Sequence, residues 1–269
     1  MKTLYIIATP IGNMEDITLR ALRVLKEVAI VASEDTRTTK RLFKHYSINT
    51  PLTSYFEHNK MVKTGVLLEK LENCDVALVS EAGMPGVSDP GYELVVEACR
   101  RGIRVIALPG ASAFITALAV SGLPTDACHY LGFLPRKRCE RKRLLLSVAS
   151  EKVSIAAYEA PHRLISALHD ILQVLGDRRI SVCRELTKMY EEVFRGTVSE
   201  AISYFEQPRG EFTIIIEGCL ESEECSVEDV AHRIACLKKK GTSVKEAMLI
   251  MSKETGKKRR DLYRAWLEN

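Results

Sequence analysis

Eight cysteines are scattered through the 269 residues without a single C-x-x-C pair, a distribution that disfavours zinc and iron–sulfur ligation. Several sit inside apolar runs such as Ile180 to Cys183, where free thiols are common. Disulfides are therefore not expected, and a reducing cytoplasm is the simplest setting. The six histidines show neither H-x-x-x-H nor H-E-x-x-H spacing, so no metal is expected. No segment approaches the roughly 20 apolar residues that span a bilayer. The apolar start, Leu4 to Ala8, is too short for a signal peptide and is soon followed by Glu15 and Asp16. Neither export nor membrane insertion is expected. Two phosphate-cradling patterns, G-x-x-x-x-G-K-[ST] and G-x-G-x-x-G, are also missing, which speaks against a P-loop nucleotidase and a standard dinucleotide-binding dehydrogenase.

What the chain does have is enough apolar content, 46% of its residues, to fill more than one core. Its charged residues, 28% with both signs mixed, argue against disorder. The net charge of +4 is unevenly spread. Residues 226–269 hold 11 Lys/Arg against 6 Asp/Glu, a net of +5, while the first 225 residues hold 28 against 29, a net of −1. A basic excess confined to one end points to a polyanionic partner.

Apolar runs at Leu4 to Ala8, Val28 to Ala32, Val76 to Ser80 and Ile103 to Leu108 read as buried strands. Amphipathic stretches such as Leu19 to Glu27 and Tyr92 to Arg101 separate them. This alternation predicts a mostly parallel sheet covered on both faces, over residues 1–123. Gly122, Leu123 and Pro124 break the pattern, and strands at Tyr130 to Leu134, Val153 to Tyr158, Ile180 to Arg184 and Phe212 to Glu217 predict a second α/β domain over 124–222. Within it, Arg163 to Leu175 has helical spacing and ends at Gly176. Residues 223–269 read as a small basic helical module of helix-turn-helix layout. Ser226-Val-Glu-Asp and Ser243-Val-Lys-Glu mark helix starts, the second a full capping box, and the two helices meet across Gly241. Tyr263 and Trp266, three apart, are expected in that module's core.

Three strand ends in the first half run into Gly/Pro-rich loops: Thr9 to Asn13, Ser80 to Gly91 and Pro109 to Ala113. In open α/β sheets ligands lie beyond the carboxyl ends of the strands. Any one such loop alone reads better as a tight connection; three together read better as a ligand site. Polar clusters stand at Glu34-Asp-Thr-Arg37, Glu57-His-Asn59, Glu159-Ala-Pro-His-Arg163 and Arg184-Glu185. Taken singly, each is the kind of group that makes surface ion pairs or helix caps.

Seven pieces recur in a telling order: Thr9-Pro-Ile-Gly-Asn13, Glu34-Asp-Thr-Arg37, Ser88-Asp-Pro-Gly91, Leu108-Pro-Gly-Ala-Ser-Ala113, Gly132-Phe-Leu-Pro-Arg-Lys137, Tyr158-Glu-Ala-Pro-His-Arg163 and Arg184-Glu-Leu-Thr-Lys188. Together they resemble the tetrapyrrole methylase superfamily, the class III S-adenosylmethionine methyltransferases. The chain departs from that pattern at Ser80-Glu-Ala-Gly-Met-Pro85, where the family usually carries S-D-A-G-T-P. The resemblance implies two α/β domains with S-adenosylmethionine in the cleft between them, and a homodimer. In its RNA-directed branch it implies 2'-O-methylation of a cytidine at the decoding site of 16S rRNA in the small ribosomal subunit. Carried over position by position, Pro10 and Gly12 would line the cofactor cleft, and Gly83, Pro85, Val87 and Ser88 would shape its second loop. Ser112 and Ala113 would offer further contacts, with Tyr158, Glu159, Ala160 and Thr213 meeting the cofactor from the second domain.

Methyl transfer from a sulfonium needs alignment and exclusion of water more than it needs a metal. A ribose hydroxyl is a poor nucleophile, and a general base typically contributes roughly 10²- to 10⁴-fold. Asp35, Glu81 and Glu159 are candidates for that proton, and Asn13 and Arg37 for orienting a ribose or phosphate. Arg136 to Arg143 packs six cations into eight residues. Of these, Arg136, Lys137, Arg141 and Lys142 are candidate RNA contacts, as are Lys257, Lys258, Arg259, Arg260 and the run Lys238 to Lys240. Three rivals remain open: a small-molecule methylase acting on a tetrapyrrole, which has no use for the basic C-terminal module; a nucleic-acid-binding protein with a degenerate methylase fold; and a DNA-reading role for the helical module.

Overall fold

Four-residue runs such as Val76-Ala-Leu-Val79 are apolar on both sides of the strand, and only a sheet covered on both faces can hide them. In the computed structural model, which describes residues 2–220, 234, 237–238, 243–255 and 259–268, that run is a wholly buried strand. One compact unit, Met1–Gly218, contains two sheets, and a second unit comprises Cys219–Asn269.

The first sheet is all parallel, in the order β3-β2-β4-β1-β5. Its strands are β1 (Thr3–Ile7), β2 (Ile30–Ser33), β3 (Leu52–Ser54), β4 (Val76–Val79) and β5 (Arg104–Leu108). Helices α1 (Leu19–Glu27), α2 (Thr36–His45), α3 (Lys60–Asn73), α4 (Tyr92–Arg100) and α5 (Ala113–Val120) follow them. The period-2 geometry of strands divides the apolar residues between two cores. Ile7, Val31, Ala77 and Val79 face α1 and α2, while Leu4, Ile6, Ala32, Val76 and Leu78 face α3 and α4.

The second sheet has the order β6-β7-β10-β8-β9, built from β6 (Cys128–Phe133), β7 (Ser154–Glu159), β8 (Arg179–Arg184), β9 (Glu192–Thr197) and β10 (Phe212–Ile216). Only β6 and β7 pair in parallel; the other three pairings are antiparallel. Helices α6 (Arg138–Ser147), α7 (Leu164–Leu175) and α8 (Val198–Tyr204) cover one face. The other face, with Ala156, Cys183 and Ile215, packs on Ala117 and Leu118 of α5. A helix that starts at the end of β5 thus fastens the second sheet to the first.

Helix ends follow local chemistry. Gly176 stops α7 at φ 84°, a region that L side chains avoid, and Thr197 and Glu200 form a reciprocal capping box at α8. Two strands lack a signal in the sequence. β3 has only three residues and follows Pro51, and β9 is an edge strand whose residues are nearly all half-exposed, so its apolar pattern is weak.

In the second unit, helices Val244–Thr255 and Arg259–Glu268 enclose Ile234, Ala247, Met248, Met251, Leu262 and Trp266. Ser243 Oγ accepts from Glu246 N at 3.4 Å. Trp266 is in the core as expected, but Tyr263 is 48% exposed because its place on the helix faces away from that cluster. Lys238 Nζ donates to Trp266 O at 2.7 Å and lies 5.1 Å over the indole ring. Ser226, Lys239, Lys240, Gly241, Lys257 and Lys258 lie outside the described residues, as does the Arg259 side chain. Among the described residues no helix is long and apolar enough to cross a membrane.

Candidate active site

The three glycine- and proline-rich loops leave the carboxyl ends of β1, β4 and β5, so the parallel sheet delivers them to one edge. Thr9 and Gly83 exchange backbone hydrogen bonds of 2.9 and 3.0 Å, locking the first two loops together. Gly83 does this at φ +77°, a conformation open to glycine and strained for other residues. Facing these loops are the ends of the second sheet. Beside these loops three polar links join the halves: Asn13 N donates to Thr187 Oγ1 (3.0 Å), Phe114 N donates to Tyr158 Oη (3.1 Å), and Ser88 Oγ pairs with Tyr130 Oη (2.7 Å).

Between the two sets lies a cavity of about 740 Å³, a size that suits a nucleoside-bearing small molecule. Most residues expected to meet a cofactor line it. Pro10, Gly12, Gly83, Val87, Ser88, Ser112 and Ala113 do so from the first half, and Tyr158, Glu159, Ala160 and Thr213 from the second. Pro85 does not; it is buried behind its loop.

The four residues expected to carry the chemistry divide differently, and only Glu81 lines the cavity. Asn13 caps the short turn Met14–Asp16, its Oδ1 accepting from Glu15 N at 3.1 Å. Asp35 caps α2 and holds Arg37 through contacts of 2.7 to 3.2 Å, and Arg37 is otherwise 87% exposed. Those hydrogen bonds keep the Asp35 carboxyl below its usual range, which makes it a poor proton acceptor. None of these three side chains lines the cavity, and each makes a local cap or pair.

Residues not anticipated as functional also line the cavity, notably Glu34, Asp89, Phe133 and Lys188. Asp89 had a signal, because it adjoins Ser88 in the Ser-Asp-Pro-Gly turn. Burial, then the charge of Glu34 and more weakly that of Glu81, push its carboxyl up to about 7 against a hydrogen bond with Ser80. Burial is also the main cause that raises Glu34 and Glu159. Glu159 is 1% exposed. Its Oε1 accepts from Ala160 N (2.8 Å) and pairs with Arg163 (2.5 Å), while its Oε2 has no hydrogen-bond partner. A buried carboxylate oxygen of that kind is stable only when something supplies a donor.

The basic run is not the uniform surface expected. Arg141 is 3% exposed and bonds Asp170 Oδ2 through two nitrogens at 2.6 and 2.9 Å. Arg138 pairs with Asp170 Oδ1 at 2.8 Å, and Lys142 donates to Gln173 at 2.6 Å. Burial works to raise Asp170, but the two arginine hydrogen bonds outweigh it and leave the carboxyl lowered. Arg141 is thus a structural cation of the α6–α7 interface and not an RNA contact: the 3.6-residue period turns one side of α6 inward. Arg136 and Lys137 stay exposed at its start. Arg260 is exposed in the second unit. Among the described residues no group of three or more His, Cys, Asp or Glu side chains is arranged to hold a metal ion. The six described cysteines are free.

Residues 3–202 match the protein family described as Tetrapyrrole (Corrin/Porphyrin) Methylases. Curated relatives named "Ribosomal RNA small subunit methyltransferase I" span nearly the whole chain. The protein of that name from Halalkalibacterium halodurans is 48% identical, covering 97% of this chain and 93% of its own. That from Synechocystis is 44% identical, covering 100% and 98%. Among solved structures, a diphthine synthase superimposes with a TM-score of 0.63 at 13% identity, over 81% of this chain and 90% of that one. A uroporphyrin-III-C-methyltransferase from Thermus thermophilus does so with a TM-score of 0.55 at 19% identity, over 80% and 94%. At such identities these two structures speak to the fold alone.

Proposed function

The chain belongs to the tetrapyrrole methylase family and, within it, to the ribosomal RNA small subunit methyltransferase I proteins, and from that premise we propose that it transfers a methyl group from S-adenosylmethionine to the ribose 2'-oxygen of a cytidine at the decoding site of 16S rRNA. The observation that carries this reading is the 48% identity to a protein of that name across 97% of the chain. The cavity is consistent with it. A Cβ on Gly12 would lie 2.4 Å from Lys188 Cγ, so the bare glycine is what lets the loop close on the second half. Glu34 and Glu81 bring negative charge to the lining, which suits a cationic ligand. The unpartnered Glu159 Oε2 offers an acceptor for an amino or hydroxyl donor of an adenosine.

Bound there, S-adenosylmethionine supplies an electrophilic methyl on a positively charged sulfur. The chain's own residues position and desolvate. Loops 9–13, 80–91 and 109–113 hold one wall rigidly through the Thr9–Gly83 bridge, and Tyr158 to Ala160 with Thr213 form the other. A proton must leave the ribose hydroxyl as its oxygen attacks. Asp89, with a carboxyl titrating at about 7, is matched to that step near neutral pH. Asp35 is held ionised by Arg37 and Glu159 is pinned by Arg163, so neither is as well suited. In this reading the two sheets act as two domains, 1–123 and 124–222, the basic module 223–269 docks on rRNA, and the chain works as a cytoplasmic homodimer.

The test is to incubate the purified protein with radiolabelled S-adenosylmethionine and small ribosomal subunits that lack the modification, then map the label by nuclease digestion and mass spectrometry. Label on a ribose 2'-oxygen of 16S rRNA is the expected result. Tight cofactor binding without RNA label would move the reading to a small-molecule acceptor.

A further inference from the structure

We propose that Phe133 is the platform on which the base of the acceptor nucleotide stacks, with Arg136 holding a neighbouring phosphate; this rests on the RNA-directed reading above. The argument begins in the register of β6. Tyr130 pairs with Ala156 and Phe133 with Tyr158, so three steps along β6 match two along β7. One extra residue is therefore inserted, and a bulge of this kind re-aims the side chains that follow it. In a regular strand Phe133 would fall on the face opposite Tyr130. With the bulge it joins the face of Tyr130, Ala156 and Tyr158. The next residue, Leu134, takes the opposite face and is buried with Ile155 and Ala157. Gly132 makes the bulge at φ +66°, where a Cβ would also stand 3.2 Å from Ser88 Oγ.

The result is a phenyl ring that lines the cavity yet is 58% exposed. Its backing is firm. Tyr158 meets the Phe133 ring edge-on at 5.3 Å, Tyr158 is itself braced by Tyr130 at 5.5 Å, and both tyrosine hydroxyls are hydrogen-bonded. An exposed ring on a rigid support is suited to a flat partner, because stacking then needs no ordering of the platform.

Charge nearby narrows the partner. Of the six cations in the run that follows, Arg138, Arg141 and Lys142 are drawn to Asp170, Lys137 pairs with Glu140 at 3.2 Å, and Arg143 lies exposed ten residues beyond Phe133, farther along α6. Arg136, three residues beyond Phe133, is exposed with no side-chain partner among the described residues. An open aromatic face beside an uncommitted guanidinium is the chemistry that recognises an unpaired nucleotide, base on ring and phosphate on cation.

The experiment uses the full chain and small ribosomal subunits, comparing wild type with Phe133→Ala, Phe133→Trp and Arg136→Ala, and measuring S-adenosylmethionine affinity in parallel by calorimetry. Phe133→Ala should lower kcat/KM for the subunit by roughly 5- to 150-fold, the range that loss of one base–aromatic stack gives. Cofactor Kd should stay within about twofold, and Phe133→Trp should restore most of the activity. Arg136→Ala should reduce the salt slope of subunit binding by about one. Equal loss of cofactor affinity and RNA methylation in Phe133→Ala would assign the ring to the cofactor and overturn the proposal. So would a kcat/KM within about twofold of wild type. Wild-type protein that labels no RNA would overturn the RNA-directed reading and this proposal together, whereas wild-type methylation insensitive to Phe133 overturns the platform alone.

Discussion

Asp89 shows how much stability a cavity lined by carboxylates gives up. Its carboxyl titrates at about 7 in the folded protein, raised by burial first and by the charge of Glu34 second, whereas an unfolded aspartate titrates near ~3.9. Between those values the unfolded chain ionises while the folded one keeps its proton. The contribution of Asp89 to stability is therefore fully present below about pH 4 and is lost as pH rises to about 7, levelling off above it. Each pH unit inside that window is worth about 1.4 kcal/mol, so the ceiling between pH 5 and 7 is about 2.7 kcal/mol, and residual solvent screening brings it to on the order of 1–2 kcal/mol. Asp89→Asn removes the titration with almost no change in volume. Urea unfolding of both proteins at pH 5, 6, 7 and 8, without ligand, should show the variant gaining on wild type by that amount between pH 5 and 7 and no further by pH 8. In single-turnover methyl transfer the same variant should be slower by roughly 10²- to 10⁴-fold if Asp89 takes the ribose proton. A stability difference constant to within about 0.5 kcal/mol across the range would refute the claim that this carboxyl is desolvated among like charges.

Two other perturbations test the scaffold. Asp170→Ala leaves Arg141 buried without its counter-charge and should lower stability by about 3–5 kcal/mol, with the double variant Arg141→Met/Asp170→Ala recovering much of that; a urea midpoint unchanged in the single variant would contradict the buried pairing. Gly12→Ala puts a methyl 2.4 Å from Lys188 Cγ and 2.8 Å from Thr187 Oγ1. It should weaken S-adenosylmethionine binding by at least about tenfold through displacement of the loop, read by calorimetry, while moving the urea midpoint far less than Asp170→Ala does.

Much of the architecture was legible from residue order. The interior strands β1, β2, β4, β7, β8 and β10 announce themselves as apolar runs, because a strand covered on both faces has no polar side to show, and β5, an edge strand with Arg104 and Ala107 exposed, still reads through its apolar run Val105 to Leu108. The loops at the ends of β1, β4 and β5 were legible for the same reason: glycine and proline mark where backbone turns away from a sheet. β3 and β9 were not, since a three-residue strand and a half-exposed edge strand carry too little pattern. The site was read in part. Gly12, Gly83 and Ala160, picked out by the loops that hold them, line the cavity. The side chains expected to do chemistry were harder, because Asn13 and Asp35 have the same composition signal whether they cap a turn or face a ligand.

The sequence by itself determined the class of fold, the edge of the sheet where the cavity opens and the motifs that identify the family, all of which depend on local backbone preference and on the burial period of single elements. Only the tertiary structure decided which carboxylate lies in the cavity, which arginine is spent on Asp170 and which face Phe133 occupies. Those outcomes depend on groups brought together from distant positions, Glu34 with Asp89, Arg141 with Asp170, Gly132 with Ser88, and the electrostatic and steric terms between them exist only once two packed sheets hold them a few ångströms apart.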